Sequence, residues 1–304
     1  MSQEITTSFT SGSPAVPGIW SGLFRTAHTL EWIDAAGVST RILQAGDPSA
    51  PVVLMLHGTA GSLENFCANF EAFARRFRVI AIDMLGCGFT GKPDYDYAIM
   101  DYARHALSVL DALGVSKASV VGVSLGSWVA VAMAEAWPER IEKLVMVAPA
   151  GIIADPEADR RTAERMRQRR TAAAEDPTWE SITKAMSSLV LDPARLSDDI
   201  IAVRLAAYSQ PEMKAAMPHL LAFAIDTEAG ALSEDRWRRM QTPILVVLSV
   251  DANDMFLLNG RRILELAPNA QACEIHDCDH WAQYEQPGVF NQAAIDFLSG
   301  GADV

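Results

Sequence analysis

The sequence predicts a doubly wound α/β fold: a mostly parallel sheet with helices on both faces and a helical insertion. Five short runs are apolar nearly throughout, which is typical of strands whose two faces are both covered by helices. These runs are 51–56, 78–82, 118–123, 144–147 and 244–250. Helical patterns such as 102–113 and 127–137 lie between them, and this alternation of strand and helix indicates a doubly wound sheet.

The alternation breaks from about Gly151 to Met240. Helical periodicity and many charges replace it there, and the chain returns to the sheet at Thr242-Pro243. Because α/β sheets place their sites at the carboxyl ends of the strands, we expect this insertion to cover that edge as a lid. The predicted organisation is a flexible N-terminal arm at 1–20, a core at 21–150 and 241–304, and a helical cap at 151–240.

Composition narrows the class of protein. The chain has 304 residues, of which 50% are hydrophobic and 21% charged, and its mean hydropathy is +0.10. These values are ordinary for a globular protein and exclude a disordered or collagen-like chain. The 38 acidic and 25 basic residues give a net charge of −13. Such an acidic surface repels phosphate, so we expect a small-molecule partner and neither nucleic acid nor membrane.

Signals for targeting and for cofactors are missing from the sequence. The four cysteines form no C-x-x-C pair, so we expect free thiols in a reducing compartment. The first residues lack the basic and apolar regions of a secretory signal, and no apolar run is long enough for a membrane helix. We therefore expect a soluble, cytoplasmic protein. Without a P-loop, a Rossmann glycine set or a metal-spaced cluster, we expect no cofactor and no metal.

The strongest chemical signal is the G-x-S-x-G sequence Gly122-Val123-Ser124-Leu125-Gly126, between a predicted strand and a predicted helix. Small residues two before and two after the serine let the backbone pass closely, so that the serine points outward. The N-terminus of the following helix brings a positive dipole end near a developing anion. We predict that Ser124 is a nucleophile rather than a plain turn serine.

The loop HGTAGS at 57–62 follows the predicted strand 51–56. A loop of small residues at the end of a strand can offer backbone N–H groups to an oxyanion. We expect the N–H groups of Thr59 and Leu125 to form the oxyanion hole, and His57 to be a buried structural residue. The plainer interpretation is a turn that only links strand to helix.

The remaining members of a catalytic triad are expected later in the chain. His280 follows the apparent strand 271–275 and is the predicted base, since a base must come from a loop that can reach the serine. The acid should follow an earlier strand and hold the imidazole tautomer. Asp251 and Asp254 both follow the strand 244–250; we favour Asp254, and Asp251 stays open as the alternative acid.

These residues, in this order, resemble the α/β-hydrolase fold over nearly the whole chain. A narrower resemblance is to the meta-cleavage-product hydrolases, which cleave a C–C bond in 2-hydroxy-6-oxo-dienoates from aromatic ring degradation. The segment 277–285 (DCDHWAQYE) is similar to that family's CGHWAQWE. Residues 63–66 (LENF) resemble its W-x-N-F, and 196–204 resembles its helix with a substrate-carboxylate arginine.

The resemblance implies how a dienoate would bind. Arg204, with Asn65 and Trp281, would hold the carboxylate end, and a guanidinium fork suits a planar carboxylate. The histidine would also assist ketonisation of the dienol, and the family implies a homodimer. Five features depart from the family pattern: the oxyanion loop is about three residues shorter, Ser249 replaces a glycine at the end of a strand, and three further positions differ. Val123 replaces an Asn before the nucleophile, Asp279 replaces a Gly before the histidine, and a gapless alignment puts Ala252 where the acid is expected.

Three functions compete on this sequence. The first is a C–C bond hydrolase of a 2-hydroxy-6-oxo-dienoate-type acid, and the second is a carboxylesterase or lactonase with the same triad. The third is a non-catalytic binding protein, which a fluorophosphonate label on Ser124 would separate from both enzymes. Serine at the elbow, where a carboxylate nucleophile would be needed, argues against haloalkane dehalogenase and epoxide hydrolase chemistry.

Overall fold

A single eight-stranded sheet forms the centre of the protein, which we describe from a computed structural model over residues 18–252 and 254–300. The strands are β1 His28–Ala35, β2 Val38–Ala45, β3 Val52–Leu56, β4 Arg78–Ile82, β5 Ala118–Val123, β6 Ile141–Val147, β7 Ile244–Ser249 and β8 Ala270–Ile275. Their order in the sheet is β1-β2-β4-β3-β5-β6-β7-β8. The first two pairings, β1 with β2 and β2 with β4, are antiparallel, and all the others are parallel.

The observed strands confirm the predicted α/β fold class. The five apolar runs coincide with β3 to β7, which are buried along most of their length, as a sheet covered on both faces requires. The hairpin of β1 and β2 was not predicted. The sequence gives no signal for it because β1 is exposed along almost its whole length and therefore contains no continuous apolar run.

Thirteen α-helices accompany the sheet in the described ranges. They are α1 Ile19–Leu23, α2 Phe70–Ala74, α3 Ile99–Ala112, α4 Leu125–Ala136, α5 Pro156–Glu175, α6 Trp179–Met186, α7 Asp198–Tyr208, α8 Met213–Leu220, α9 Thr227–Gly230, α10 Glu234–Arg239, α11 Met255–Leu266, α12 Ala282–Glu285 and α13 Pro287–Leu298. Helix α4 packs on β3, β5 and β6, and α11 packs on β7 and β8. None of these helices is both long and apolar enough to cross a bilayer.

Six helices, α5 to α10, lie between β6 and β7, and no strand occurs between residues 148 and 243. Helix α5 contacts α6, α8 and α9, and α7 contacts the 3₁₀ turn Leu63–Phe66 that follows β3. The contact between α7 and this 3₁₀ turn brings the helical segment over the carboxyl ends of the central strands.

The predicted arm, residues 1–20, lies outside the described residues except at its end. Helix α1 begins at Ile19, which is buried. The N–H of Ile19 donates a hydrogen bond to Asp199 in α7 at 2.5 Å, so this end of the chain is attached to the helical segment.

Candidate active site

Ser124 occupies a sharp turn between β5 and α4. Its φ of 55° and ψ of −114° lie outside the regions that a non-glycine residue favours. A side chain at Gly122 would collide with the carbonyl of Gly126, and one at Gly126 would collide with the carbonyl of Leu56. Both glycines are therefore required where they stand, and the strained turn holds the serine hydroxyl at the end of the strand.

A cavity of about 320 Å³ lies above this turn, between the sheet and α5 to α9. It brings together eight of the nine residues that the sequence predicted for the site. These are Ser124, Asp254, His280, Thr59, Leu125, Asn65, Arg204 and Trp281. Asp251 does not line the cavity.

His280, in the loop after β8, lines the same cavity as Ser124. The ring of Phe256 packs edge-on against its imidazole, with 4.5 Å between ring centroids and 66° between planes. Burial, together with the positive charge of Arg170, lowers the pKa of His280 to about 3. The imidazole is therefore neutral near pH 7 and can accept a proton. No hydrogen bond joins the imidazole of His280 to the hydroxyl of Ser124.

The loop after β3 passes directly beside Ser124. A Cβ on Gly58 would be 3.5 Å from the Cβ of Ser124, and Ala60 adopts a φ of 50°. Among the described residues, the N–H groups of Thr59 and Leu125 make no backbone hydrogen bond outside helices and strands, so both are free for an oxyanion. His57 does not line the cavity; its Nδ1 lies 2.7 Å from the carbonyl of Gly58, and the N–H of Met84 donates to its Nε2.

A buried ion cluster supports this loop from below. The guanidinium of Arg41 lies 2.6 Å from Glu64 and 2.8 Å from Asp83. The N–H of Leu63 donates to the carboxylate of Asp83 at 2.8 Å. Since Asn65 directly follows Glu64, the cluster also fixes the position from which Asn65 enters the cavity.

The structure distinguishes the two candidate acids. Asp254 lines the cavity and caps α11, because its Oδ1 accepts from the N–H of Leu257 at 3.0 Å. Burial raises the pKa of its carboxyl above the ordinary value. Asp251 is exposed; it accepts from the N–H of Asp277 at 2.7 Å and lies 3.6 Å from the exposed His276. This geometry favours Asp254.

A second carboxylate near the histidine was not assigned to the site from the sequence. Asp279 lines the cavity next to His280, and burial together with the charge of Asp254 raises the pKa of its carboxyl. The sequence showed it only as a departure from a family glycine. The two carboxyl groups, Asp254 and Asp279, therefore line the same cavity as His280.

Arg204 is the most deeply buried cation of the cavity, with 2% of its surface exposed. One nitrogen, Nη2, donates to Oδ1 of Asn65 at 3.0 Å, while Nε and Nη1 have no acceptor among the described residues. Burial lowers the pKa of this guanidinium, yet an arginine in a protein stays charged. Trp281 lines the same cavity and is 1% exposed. The three residues of the predicted clamp thus meet in one cavity.

The loop that contains the predicted base is hydrogen-bonded to the helical segment above it. The N–H of Trp281 donates to the carbonyl of Leu189 at 3.0 Å. The buried carboxylate of Glu285 accepts from the N–H of Leu191 and from the N–H of Asp279, both at 2.8 Å. These bonds make the base loop and this part of the insertion one connected unit.

Several further lining residues were not predicted. Trp128, Phe223 and Phe256 provide an apolar wall, and Arg170 on α5 contributes a second buried cation. The inner face of α5 has a signal in the sequence, since Asp159, Met166 and Arg170 recur at helical spacing.

Comparisons with known proteins identify the fold family of this chain. Residues 51–287 match the family model described as the alpha/beta hydrolase fold. A 2-hydroxy-6-oxo-6-(2'-aminophenyl)hexa-2,4-dienoic acid hydrolase from Metapseudomonas resinovorans is 29% identical, over 91% of this chain and 93% of its own. A 2-hydroxy-6-oxononadienedioate/2-hydroxy-6-oxononatrienedioate hydrolase from Paraburkholderia phymatum is 30% identical, over 81% of this chain and 86% of its own.

Solved structures show the same similarity. A meta-cleavage product hydrolase from Pseudomonas fluorescens IP01 superposes with a TM-score of 0.74 at 25% sequence identity. The superposition covers 90% of this chain and 98% of the other. The resemblance found in the sequence motifs therefore extends to the fold and to most of the chain.

Proposed function

Because this chain belongs to the α/β-hydrolase family, we propose that it is a serine-dependent hydrolase that cleaves a C–C bond in a 2-hydroxy-6-oxo-dienoate-type acid. The observation that supports this substrate class most strongly is Arg204. A guanidinium that is 2% exposed, with two nitrogens lacking an acceptor, is costly to bury unless a ligand supplies a negative charge. A neutral ester would leave it unpaired.

In the proposed reaction, these residues act one after another. Arg204 and Asn65 hold the substrate carboxylate, which places the 6-oxo carbon near Ser124. His280, neutral at working pH, takes a proton during ketonisation and returns it to C5. A nucleophilic oxygen, from Ser124 or from water, then adds to C6, and the carbonyl oxygen becomes an oxyanion facing the N–H groups of Thr59 and Leu125.

Cleavage of the C5–C6 bond completes the reaction. The bonding electrons pass to C5 and into the 2-oxo group, because that group is conjugated with C5 after ketonisation. The products are a carboxylic acid from the C6 side and a 2-hydroxypenta-2,4-dienoate. Water supplies the oxygen of the new acid, either by adding to C6 itself or by hydrolysing the ester that Ser124 forms with the C6 acyl group, and no oxidant or cofactor is consumed. Asp254 is proposed to stabilise the His280 imidazolium that forms transiently.

The test compares a chromogenic dienoate with a p-nitrophenyl ester of a neutral acid. We expect kcat/KM to favour the dienoate, and Ser124→Ala to abolish or strongly reduce both reactions. Arg204→Met should lower kcat/KM for the dienoate about 100-fold or more, because it removes a buried charge pair, and change the ester rate little. A wild-type protein that hydrolyses the ester alone would contradict the C–C bond assignment.

Arg167→Met serves as the matched control. This arginine lies on α5 outside the lining of the cavity, so its loss removes the same charge without touching the clamp. An equal effect of both substitutions on the dienoate would mean that general electrostatics, and not the clamp, accounts for the result.

We also propose a cytoplasmic homodimer. The four cysteines are free thiols, which suits a reducing compartment. On the edge strand β1, Leu30 and Trp32 are 48% and 53% exposed, as the side chains of an uncovered interface would be. Light scattering during size-exclusion chromatography tests the dimer, and Trp32→Glu should shift the mass to that of a monomer.

A further inference from the structure

A second buried cation lies in the cavity besides Arg204. Arg170, on the inner face of α5, is 6% exposed and lines the cavity. Its Nη1 has no hydrogen-bond acceptor, and no ion pair to Arg170 occurs among the described residues. An arginine without an ion-pair partner is normally placed on the solvent-facing side of a helix. The burial of Arg170 on the inner face of α5 therefore requires an explanation.

The two guanidiniums act on each other. Burial is the main cause of the lowered pKa values of Arg204 and His280, and the charge of Arg170 lowers both further, so the three groups are close enough to interact electrostatically. Nearby carboxylates have other partners: Asp159 accepts from the hydroxyl of Thr227, and Asp254 caps α11. One substrate carboxylate would neutralise one of the two buried charges and leave the second unpaired.

We propose that Arg170 and Arg204 together bind a ligand with two negative charges, so that the substrate is doubly anionic. This inference rests on the proposed function and narrows its substrate class. The second charge has two chemical sources: a second carboxylate on the chain beyond C6, or the ionised 2-hydroxyl next to the first carboxylate. In both cases the guanidinium of Arg170 donates to an anionic oxygen.

The rest of the cavity suits such a ligand. Trp128, Phe223 and Phe256 offer apolar surface to the carbon chain of a ligand, and the arginines of the lining provide positive charge. Two more arginines of α5, Arg165 and Arg169, are exposed and also line the cavity. On a chain with a net charge of −13, a local group of cations attracts an anion that the remaining surface repels.

The experiment uses two substrates of equal length at about pH 8, where His280 is neutral with or without Arg170. One is 2-hydroxy-6-oxonona-2,4-diene-1,9-dioate, and the other has a methyl group in place of the far carboxylate. For the far-carboxylate source, Arg170→Met should lower kcat/KM for the dioate by about 100-fold and for the monoacid by less than threefold. Arg167→Met, outside the cavity, should change neither.

The ionised-hydroxyl source gives a different pattern. Arg170→Met then weakens both dienols equally, but does not weaken binding of their 2-methoxy ethers, which cannot ionise; these are measured as competitive inhibitors. Unchanged kcat/KM and inhibition constants for all ligands in Arg170→Met would overturn the proposal. Because a buried unpaired cation is removed, the ligand-free variant should melt at a temperature equal to or above that of wild type, which separates these results from misfolding.

A failure of the proposed function is recognised separately. If wild type cleaves neither dienoate, binding of adipate and hexanoate is measured by calorimetry. Adipate binding at least 10-fold tighter than hexanoate, with this preference lost in Arg170→Met, would support the dianion site even then. Equal affinities for the two acids would overturn the far-carboxylate source of the second charge.

Discussion

The identity of the triad acid gives the sharpest test of the site, and the substitution Asp254→Asn is suited to it. Oδ1 of Asp254 caps α11 by accepting from the N–H of Leu257 at 3.0 Å, with an extended backbone at the cap. Asparagine and aspartate are equally good N-caps, so the free energy of unfolding should change by less than about 0.5 kcal/mol. The substitution thus removes charge and keeps structure.

The catalytic effect should be much larger. Without the carboxylate, the His280 imidazolium loses its stabilising anion and the neutral ring loses its preferred tautomer. A loss of this kind in a Ser-His-Asp triad lowers kcat by about 10⁴-fold, which corresponds to about 5.5 kcal/mol in the activation barrier. The assay is single-turnover hydrolysis of the dienoate, paired with urea denaturation to measure stability.

Two matched variants decide how the result is interpreted. Asp251→Asn alters an exposed carboxylate outside the cavity, so its kcat should stay within about twofold of wild type. Asp279→Asn alters the other carboxyl group beside His280. Asp254→Asn with near wild-type kcat, together with a large loss in Asp279→Asn, would refute the assignment and make Asp279 the acid.

Three further outcomes follow from buried groups. Arg41→Met leaves Asp83 without its cation, so the free energy of unfolding in urea should fall by about 3–5 kcal/mol; a smaller loss would mean that water reaches the cluster. Gly126→Ala should prevent stable folding or remove fluorophosphonate labelling, because its Cβ would overlap a main-chain carbonyl of β3. His57, His105 and His280 have pKa values lowered by burial to about 3, about 4 and about 3, and the charge of Arg170 also lowers that of His280. The unfolded chain protonates all three below about pH 6.5 while the folded chain does not. Stability present above that pH should therefore be lost toward pH 4, by about 1.4 kcal/mol per pH unit for each histidine. His105→Gln should reduce that slope by about a third, and an unchanged slope would contradict the burial argument.

The parts of the fold that the sequence predicts well are those with continuous patterns. Strands β3 to β7 are buried on both faces, so their apolar runs are visible without a structure. The turn at Ser124 is equally visible, because the lack of space for a side chain at Gly122 and Gly126 leaves a fixed sequence motif. The exposed β1 has no such pattern, and its pairing with β2 is decided by contacts between strands.

The site shows the same division. Ser124 and His280 follow from motif and position, whereas Asp251 and Asp254 both follow β7 and differ only in how the turn directs them. Arg170 lies in a stretch of α5 that contains many arginines, and local sequence cannot tell which of them is covered by other helices. Tertiary packing, which a single sequence does not display, decides both questions.

The hydrogen bonds of Glu285 have a consequence for engineering specificity. Since this buried carboxylate joins Leu191 of the insertion to Asp279 in the base loop, an exchange of the insertion alone would cut that connection. A chimera that imports a foreign insertion should therefore import the matching segment around 277–285 as well. The insertion and the segment around 277–285 must then be exchanged together, although they are far apart in the sequence. In libraries that exchange only one of them, most chimeras would lose the hydrogen bonds of Glu285.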